Sequence, residues 1–161
     1  MTAPTQTTVE PVVESTDEAA TPTAWLRILH VEDNPADARL AQEYLRGSMS
    51  AVEFDSAGRL SELTPERANS ADCALLDLSL PDATGLEALI ALRGLAKDLP
   101  IIVLTGFDAF ELGLAALRNG ADDFLIKNHV DGYTLERGIR YAIQRRSLTL
   151  ALIHLARQAA S

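Results

Sequence analysis

The sequence is poor in cysteine and in positive charge, and each shortage argues against a class of protein. Its single cysteine, Cys73, cannot form an internal disulfide or build a cysteine-based zinc site. Because Cys73 lies in an apolar run, it is predicted to be a small buried hydrophobic residue. The formal net charge of −9 disfavours nucleic acid and anionic membrane as direct partners, since both attract Lys and Arg.

Targeting and membrane-spanning signals are also missing. The first residues, MTAPTQTTVEPVV, have no basic region before an apolar core, so no secretory signal is predicted. The longest apolar run near the C-terminus, LTLALIHLA, is too short to span a bilayer. Together these absences predict a cytoplasmic protein with no membrane partner.

Three regions of different composition divide the 161 residues. Residues 1–24 are rich in Thr, Pro, Ala and Glu and contain no Lys, Arg or aromatic residue, which predicts a disordered acidic tail. Residues 25–146 have the apolar content of one globular domain. Residues 147–161 continue the helical pattern that precedes them, and are predicted to form a C-terminal helical extension.

The domain alternates between strand-like and helical segments. Three of the strand-like segments are almost continuously apolar, as expected for strands covered on both faces. The predicted strands are residues 27–31, 52–57, 73–78, 100–105 and 123–127. The helical pattern over residues 59–68 is the weakest, because Pro65 interrupts it. Five strands alternating with five helices predict an α/β fold with a parallel sheet and helices on both faces.

Capping signals place the ends of several helices. Asn34, followed by proline, is predicted to cap the first helix. Thr84 and Asp108 each have a glutamate three residues on, which predicts capping boxes. Gly120 is predicted to end a helix in the left-handed conformation, and the last helix is predicted to begin near Asp131.

Reactive side chains collect where the predicted strands end. They are Glu32 and Asp33 after the first strand, Asp77 at the third, Thr105 at the fourth and Lys127 at the fifth. Ligands bind at the carboxyl ends of strands in such sheets, so these side chains should share one rim. Three converging carboxylates repel one another unless a divalent cation lies between them, and a few hard oxygen ligands suit Mg²⁺.

This set of groups fits phosphoryl transfer to a carboxylate. A metal-neutralised Asp77 would serve as nucleophile, while Lys127 and Thr105 would stabilise charge on the phosphoryl oxygens. The chain has twelve arginines and only two lysines, yet lysine stands at this strand end. A compact ammonium fits a tight phosphoryl pocket better than a forked guanidinium does.

Four motifs in register resemble the response-regulator receiver domain of two-component signalling. They are ILHVEDNPADARLAQEYL, CALLDLSLPDATGLEAL, PIIVLTGFD and ADDFLIKN, and the resemblance covers residues 26–146. It implies the flavodoxin-like, doubly wound, five-stranded parallel sheet in the order 2-1-3-4-5.

The resemblance also implies roles for the rim residues. Asp77 resembles the phospho-acceptor, and Asp33, Asp77 and the backbone carbonyl of Ser79 resemble the Mg²⁺ ligands. Glu32 resembles the second acid, which acts through a metal-bound water. Lys127 resembles the lysine that pairs with phosphate.

Two further positions resemble the switch of the family. Thr105 resembles the hydroxyl that moves toward the phosphoryl group, and Phe124 stands at the place of the switch aromatic. Because Phe124 has no hydroxyl, its signal must be one of packing. Asn128 stands where the family has a proline after a cis peptide bond. A cis bond before Asn costs about 3–4 kcal/mol, so a trans bond is expected.

The resemblance therefore implies a single-domain response regulator that takes a phosphoryl group from a histidine kinase or histidine phosphotransfer protein and signals to a downstream protein target. It would be no ordinary enzyme, since it would catalyse only its own phosphotransfer and slow dephosphorylation. One alternative is a receiver-fold binding module that acts without phosphorylation. Another is a hydrolase with an aspartyl phosphate, but such enzymes need an acid where Ser79 stands.

Two features beyond the rim have several interpretations. Leu148, Leu152, Leu155 and Ala159 follow heptad-like spacing in the C-terminal extension. This stripe would pack on its own domain, pair with another chain in a homodimer, or belong to a signalling helix. His30 lies within the first strand and is expected to pack or hydrogen-bond in the interior.

Overall fold

Five parallel strands form the centre of the protein in a computed structural model that describes residues 25–161. The tail predicted over residues 1–24 lies outside the described residues. The sheet order is β2-β1-β3-β4-β5, so the predicted order is confirmed. The strands are β1 Leu26–Val31, β2 Val52–Ala57, β3 Cys73–Asp77, β4 Ile101–Thr105 and β5 Asp123–Ile126.

Five helices connect the strands or follow them. They are α1 Pro35–Ser48, α2 Pro65–Asn69, α3 Leu86–Leu95, α4 Phe110–Arg118 and α5 Gly132–Ala159. The second helix is shorter than residues 59–68, because Pro65 begins the helix rather than interrupting it. Proline suits the first helical position, where its missing N–H leaves no partner unsatisfied, and Thr64 accepts the Arg67 N–H at 3.2 Å as the cap.

Each face of the sheet has its own apolar core. Successive side chains of β1 point to opposite faces of the sheet. Leu29 therefore packs in the core shared with α2, α3 and α4, and Ile28 packs in the core shared with α1 and α5. The central strand β3 is buried along its whole length. Cys73 is fully buried in the second core, which confirms the prediction made for it.

Two of the predicted caps are confirmed. The Asn34 side chain accepts the N–H of Ala36 at 2.9 Å and that of Asp37 at 3.3 Å, and so begins α1. Gly120 follows α4 with φ of +103°, a conformation that favours glycine. The last helix begins after Asp131, whose carboxylate accepts the Thr134 N–H at 2.7 Å.

The capping boxes predicted at Thr84 and Asp108 are wrong. Thr84 pairs with Ser79 in an isolated antiparallel bridge, and α3 begins only after Gly85. Gly85 adopts φ of +60°, and its N–H donates to the Leu78 carbonyl at 2.7 Å, so the loop geometry displaces the helix start. Asp108 lies in a 3₁₀ turn before α4, which has no side-chain cap.

The last helix extends beyond the domain. Its first half contributes Leu135 and Ile139 to the core, but Leu148, Leu152 and Leu155 are 56%, 67% and 60% exposed. The packing of this stripe on its own domain, one of the interpretations of the sequence, is therefore wrong. Among the described residues, no helix combines the length and apolar character needed to cross a membrane.

Candidate functional site at the carboxyl edge of the sheet

The parallel register brings the predicted acids together at one edge of the sheet. Asp77 is the last residue of β3, and Glu32 and Asp33 follow β1 directly. Carboxylate oxygens of these three residues all lie within 4.8 Å of one another. Glu32 and Asp77 are buried and Asp33 is exposed, so the cluster opens to solvent on one side. Three hard oxygen donors with an open side fit Mg²⁺, which keeps several waters when bound to protein.

Lys127 reaches this cluster from the end of β5. Its Nζ lies 2.6 Å from Glu32 Oε2, 2.9 Å from Asp37 Oδ2 and 3.4 Å from Asp77 Oδ2. Burial alone would lower the pKa of Lys127, but its hydrogen bonds to Glu32 and Asp37 raise that pKa above the ordinary lysine value. Lys127 is therefore a cation at neutral pH.

Asp37 is the member of the site that the sequence interpretation missed. It lies in the first turn of α1, and its N–H donates to the capping side chain of Asn34. Because helix α1 begins immediately after the acids that follow β1, its first turn faces the same edge of the sheet. An acid three residues after the cap was the signal that could have found it.

Glu32 is the most buried acid of the site, with a side chain only 1% exposed. Its Oε1 accepts the Asn34 N–H at 3.1 Å. Burial raises the pKa of Glu32 to about 7, although the hydrogen bond from Lys127 opposes the change and the Asp77 charge adds to it. The site is thus short of positive charge, which supports the fit to a divalent cation.

The Asp77 carboxylate is held by the loop that follows its strand. Its Oδ1 accepts the Ser79 N–H at 3.2 Å. The bridge between Ser79 and Thr84 closes this loop. The predicted contribution of the Ser79 carbonyl to a metal site stays a prediction.

Thr105 ends β4 beside this cluster. The residue is 2% exposed, and its hydroxyl has no hydrogen-bond partner among the described residues. A buried hydroxyl without a partner is uncommon, because its desolvation is not compensated. Thr105 thus has a donor available for an incoming oxygen.

Phe124, the predicted switch aromatic, packs against α4. Its ring makes an edge-to-face contact with Phe110 at a centroid distance of 5.6 Å. A Cβ at Gly113 would lie 2.4 Å from the ring, so the inward position of Phe124 requires glycine there. The contact is one of packing alone, as the missing hydroxyl predicts.

His30 lies beneath the site, in the interior as predicted. It is 1% exposed, and neither ring nitrogen has a hydrogen-bond partner among the described residues. Burial, followed by the charge of Lys127, lowers the pKa of His30 to about 4, so the imidazole is neutral. The sequence interpretation placed this residue correctly but gave it no connection to the rim.

The segment after Lys127 also agrees with its prediction. Residues Lys127–His129 form a 3₁₀ turn, and the described part of the chain contains no cis peptide bond. The Lys127–Asn128 bond is therefore trans, as expected without proline.

Comparison with known proteins agrees with this geometry. Residues 28–137 match the response regulator receiver domain. The chain belongs to this family. Receiver domains act in two-component signalling and are not classical enzymes, and this match covers every rim residue described above.

Similar proteins include larger regulators and isolated receiver domains. The regulatory protein LuxO of Vibrio cholerae is 36% identical over 97 residues, which cover 60% of this chain and 21% of LuxO. The response regulator MprA of Mycobacterium tuberculosis is 39% identical over 108 residues, covering 63% of this chain and 44% of MprA. The chain thus spans less than half the length of either relative.

Among solved structures, a CheY-like receiver domain protein from Methanospirillum hungatei is similar in fold. It superposes with a TM-score of 0.65 at 25% identity, and the match covers 78% of this chain and 99% of that one. The receiver-domain fold, with its five-stranded sheet, is therefore shown by both sequence and structure.

Proposed function

We propose that Asp77 accepts a phosphoryl group in a Mg²⁺-dependent reaction and that the phosphorylated domain signals to a protein partner. The observation that carries this proposal is the convergence of Asp77 with two other acids, Lys127 and the unpartnered hydroxyl of Thr105. These side chains come from four strand ends. A structural ion pair alone would not need all of them.

In the proposed reaction an oxygen of Asp77 attacks the phosphorus of the donor. A new P–O bond forms, and the bond between phosphorus and the leaving group breaks with its electron pair on the leaving group. The Ser79 N–H holds the Asp77 carboxylate, since it donates to Oδ1 and leaves Oδ2 on the side of Lys127. Lys127 supplies a positive charge to one phosphoryl oxygen, and Thr105 donates to another.

Asp33 and Asp77, with the Ser79 carbonyl, would hold Mg²⁺, and Glu32 would act through a bound water. The ion supplies charge neutralisation between the carboxylates and the incoming phosphoryl group. The raised pKa of Glu32 agrees with this assignment, because it reflects a buried carboxylate beside the charge of Asp77, and a cation would compensate both negative charges.

The donor in this proposal is a histidine kinase or a histidine phosphotransfer protein. The output is a shift of a pre-existing equilibrium, in which Thr105 moves toward the phosphoryl group and Phe124 repacks. The contact of Phe124 with Gly113 and Phe110 ties this aromatic to α4, so its movement would alter the α4 surface. A phosphorylation-independent binding module is the second candidate, but it gives no role to the cluster of acids with lysine.

Acetyl phosphate tests the proposal directly. With Mg²⁺ present, the intact mass of the protein is expected to rise by one phosphoryl group, and hydroxylamine should remove the modification because acyl phosphates are labile to it. EDTA should prevent the uptake. Peptide mapping of borohydride-reduced protein identifies the modified carboxylate. Uptake that is independent of Mg²⁺ would contradict the proposed metal dependence, whereas no uptake from either acetyl phosphate or histidine kinases would favour the binding module.

We also propose that two copies of the chain pair through the C-terminal extension. Leu148, Leu152 and Leu155 form one exposed stripe along the end of α5, and no described element covers it. The extension carries a single charged side chain that is not histidine, Arg157, so repulsion between two copies is small. Pairing like helices would bury this stripe in the manner of a short coiled coil.

Sedimentation at micromolar to submillimolar concentration tests the dimer. Wild type is expected to be dimeric, and Leu152→Glu is expected to be monomeric because it places two charges in the pairing seam. Ser147→Glu is the matched control, since it introduces the same charge at an exposed position on a different face of α5. The proposed seam would be contradicted if wild type is a monomer at the highest concentration. It would also be contradicted if both variants weaken dimerisation equally.

A further inference from the structure

Asp37 contacts the lysine of the site although it is not one of the three acids that fit a metal. Its Oδ2 accepts a hydrogen bond from Lys127 Nζ at 2.9 Å. The Asp37 side chain is 43% exposed, whereas that of Glu32, the other partner, is 1% exposed. Lys127 therefore has one fixed partner inside the site and one that faces water.

Lys127 makes shorter contacts to these two partners than to Asp77. The ammonium group donates to Glu32 and to Asp37, while Asp77 Oδ2 lies 3.4 Å away at ion-pair distance. A phosphoryl group on Asp77 would bring additional negative charge to Lys127. The ammonium group has three N–H donors and Glu32 and Asp37 engage two of them, so Lys127 can offer the phosphoryl group only its third donor unless one of these hydrogen bonds is released.

Asp37 is the partner that is easier to release. Glu32 is buried and also accepts the Asn34 N–H, so losing its cation would leave an uncompensated buried charge. Water replaces Lys127 at the half-exposed Asp37 carboxylate with little loss, because exposed ion pairs contribute little to stability. The hydrogen bond between Lys127 and Asp37 is thus suited to break and reform.

We infer that Asp37 is a positioning residue that tethers Lys127 in the unphosphorylated state and competes with the phosphoryl group on Asp77 for its ammonium. This inference rests on the proposed phosphorylation of Asp77 and assigns a regulatory contact to the same site. Asp37 slows phosphorylation and shortens the lifetime of the phosphorylated form. Removing its charge favours the phosphorylated state.

The test is a double-mutant cycle between Asp37→Asn and Lys127→Met. In the wild-type background, Asp37→Asn is expected to raise either the rate of phosphorylation by acetyl phosphate or the half-life of the product about two- to fivefold. This range corresponds to the free energy that an exposed ion pair contributes. In the Lys127→Met background the same substitution should have no effect, because the tethered group is gone. Asp37→Glu keeps the carboxylate and should resemble wild type.

Glu43→Gln is the charge control. Glu43 lies on the same helix and is exposed, so its substitution removes one negative charge without removing a partner of Lys127. The tether is overturned if Glu43→Gln reproduces the effect of Asp37→Asn, if that effect persists with Met at position 127, or if Asp37→Asn slows phosphorylation.

A second readout does not depend on phosphorylation. The chain has only two lysines, and Lys97 is exposed, so the ammonium signals of Lys127 can be assigned by NMR. Slow hydrogen exchange of the Lys127 ammonium is expected in wild type and Glu43→Gln, and faster exchange in Asp37→Asn. Unchanged exchange in Asp37→Asn overturns the tether. Absence of phosphate uptake by wild type would instead reject the proposed function, while the NMR result still decides the tether.

Discussion

Asp77→Asn is expected to abolish phosphate uptake from acetyl phosphate, with no modified protein detected by intact mass. The amide has nearly the shape of the carboxylate but lacks the negatively charged oxygen that attacks phosphorus. Asp77 is buried at the centre of the acidic cluster, and its Oδ1 is already held by the Ser79 N–H. The neighbouring acids lack this position at the end of the central strand, so they should not replace it.

The fold of this variant should be intact. Removing the charge of Asp77 relieves its repulsion of Glu32, so urea unfolding is expected at an equal or higher denaturant concentration. Asp98→Asn, which removes an exposed acid far from the rim, is the matched control and should take up phosphate like wild type. Phosphate retained by Asp77→Asn on another carboxylate would show that the acceptor is assigned wrongly.

The positions of the rim residues could be predicted from the sequence because they depend only on strand ends. An apolar run such as residues 73–76 identifies a buried strand, and the first acid after it must lie at the carboxyl edge. Parallel register then brings Asp77, Thr105 and Lys127 together without any knowledge of loop structure. The confirmed sheet order is implied by the family resemblance, and the confirmed cap at Asn34 by the local pattern of an asparagine before proline.

Features that depend on contacts between distant segments could not be predicted in this way. The tether from Asp37 to Lys127 joins residues 90 positions apart, and the packing of Phe124 on Gly113 joins a strand to a helix. The false cap at Thr84 has a related cause. Its local capping signal is overridden by the loop, since the bridge to Ser79 takes Thr84 out of the helix start.

Arg93 is the clearest case of a contact that local pattern gives no reason to expect. From the last turn of α3 it donates to the carbonyls of Leu99 at 2.5 Å and Gly120 at 2.6 Å, and to Asp122 Oδ2 at 3.2 Å. Asp122 in turn accepts the Ile101 N–H at 2.8 Å. One guanidinium therefore joins α3 to the segments that begin β4 and β5, at the edge of the sheet opposite the rim.

Arg93→Met is expected to lower the free energy of unfolding by about 2–4 kcal/mol, because the carbonyls of Leu99 and Gly120 lose this donor and Asp122 keeps only the more distant Arg146, at 3.5 Å, as a cation. The Arg93 and Asp122 side chains are only 18% and 12% exposed, so water compensates poorly. Urea unfolding at one fixed protein concentration measures the loss, since any dimer makes stability concentration-dependent.

Arg118→Met provides the matched control, because Arg118 lies exposed at the end of α4 and its loss should change stability by no more than about 0.5 kcal/mol. Under conditions where Arg93→Met remains folded, its rate of phosphate uptake should equal that of wild type, because the contacts it loses lie at the opposite edge from Asp77. Equal stability of the two arginine variants would show that water hydrogen-bonds to the carbonyls of Leu99 and Gly120 when the guanidinium is absent. A slower phosphate uptake by folded Arg93→Met would show that the two edges of the sheet are coupled through β4 and β5.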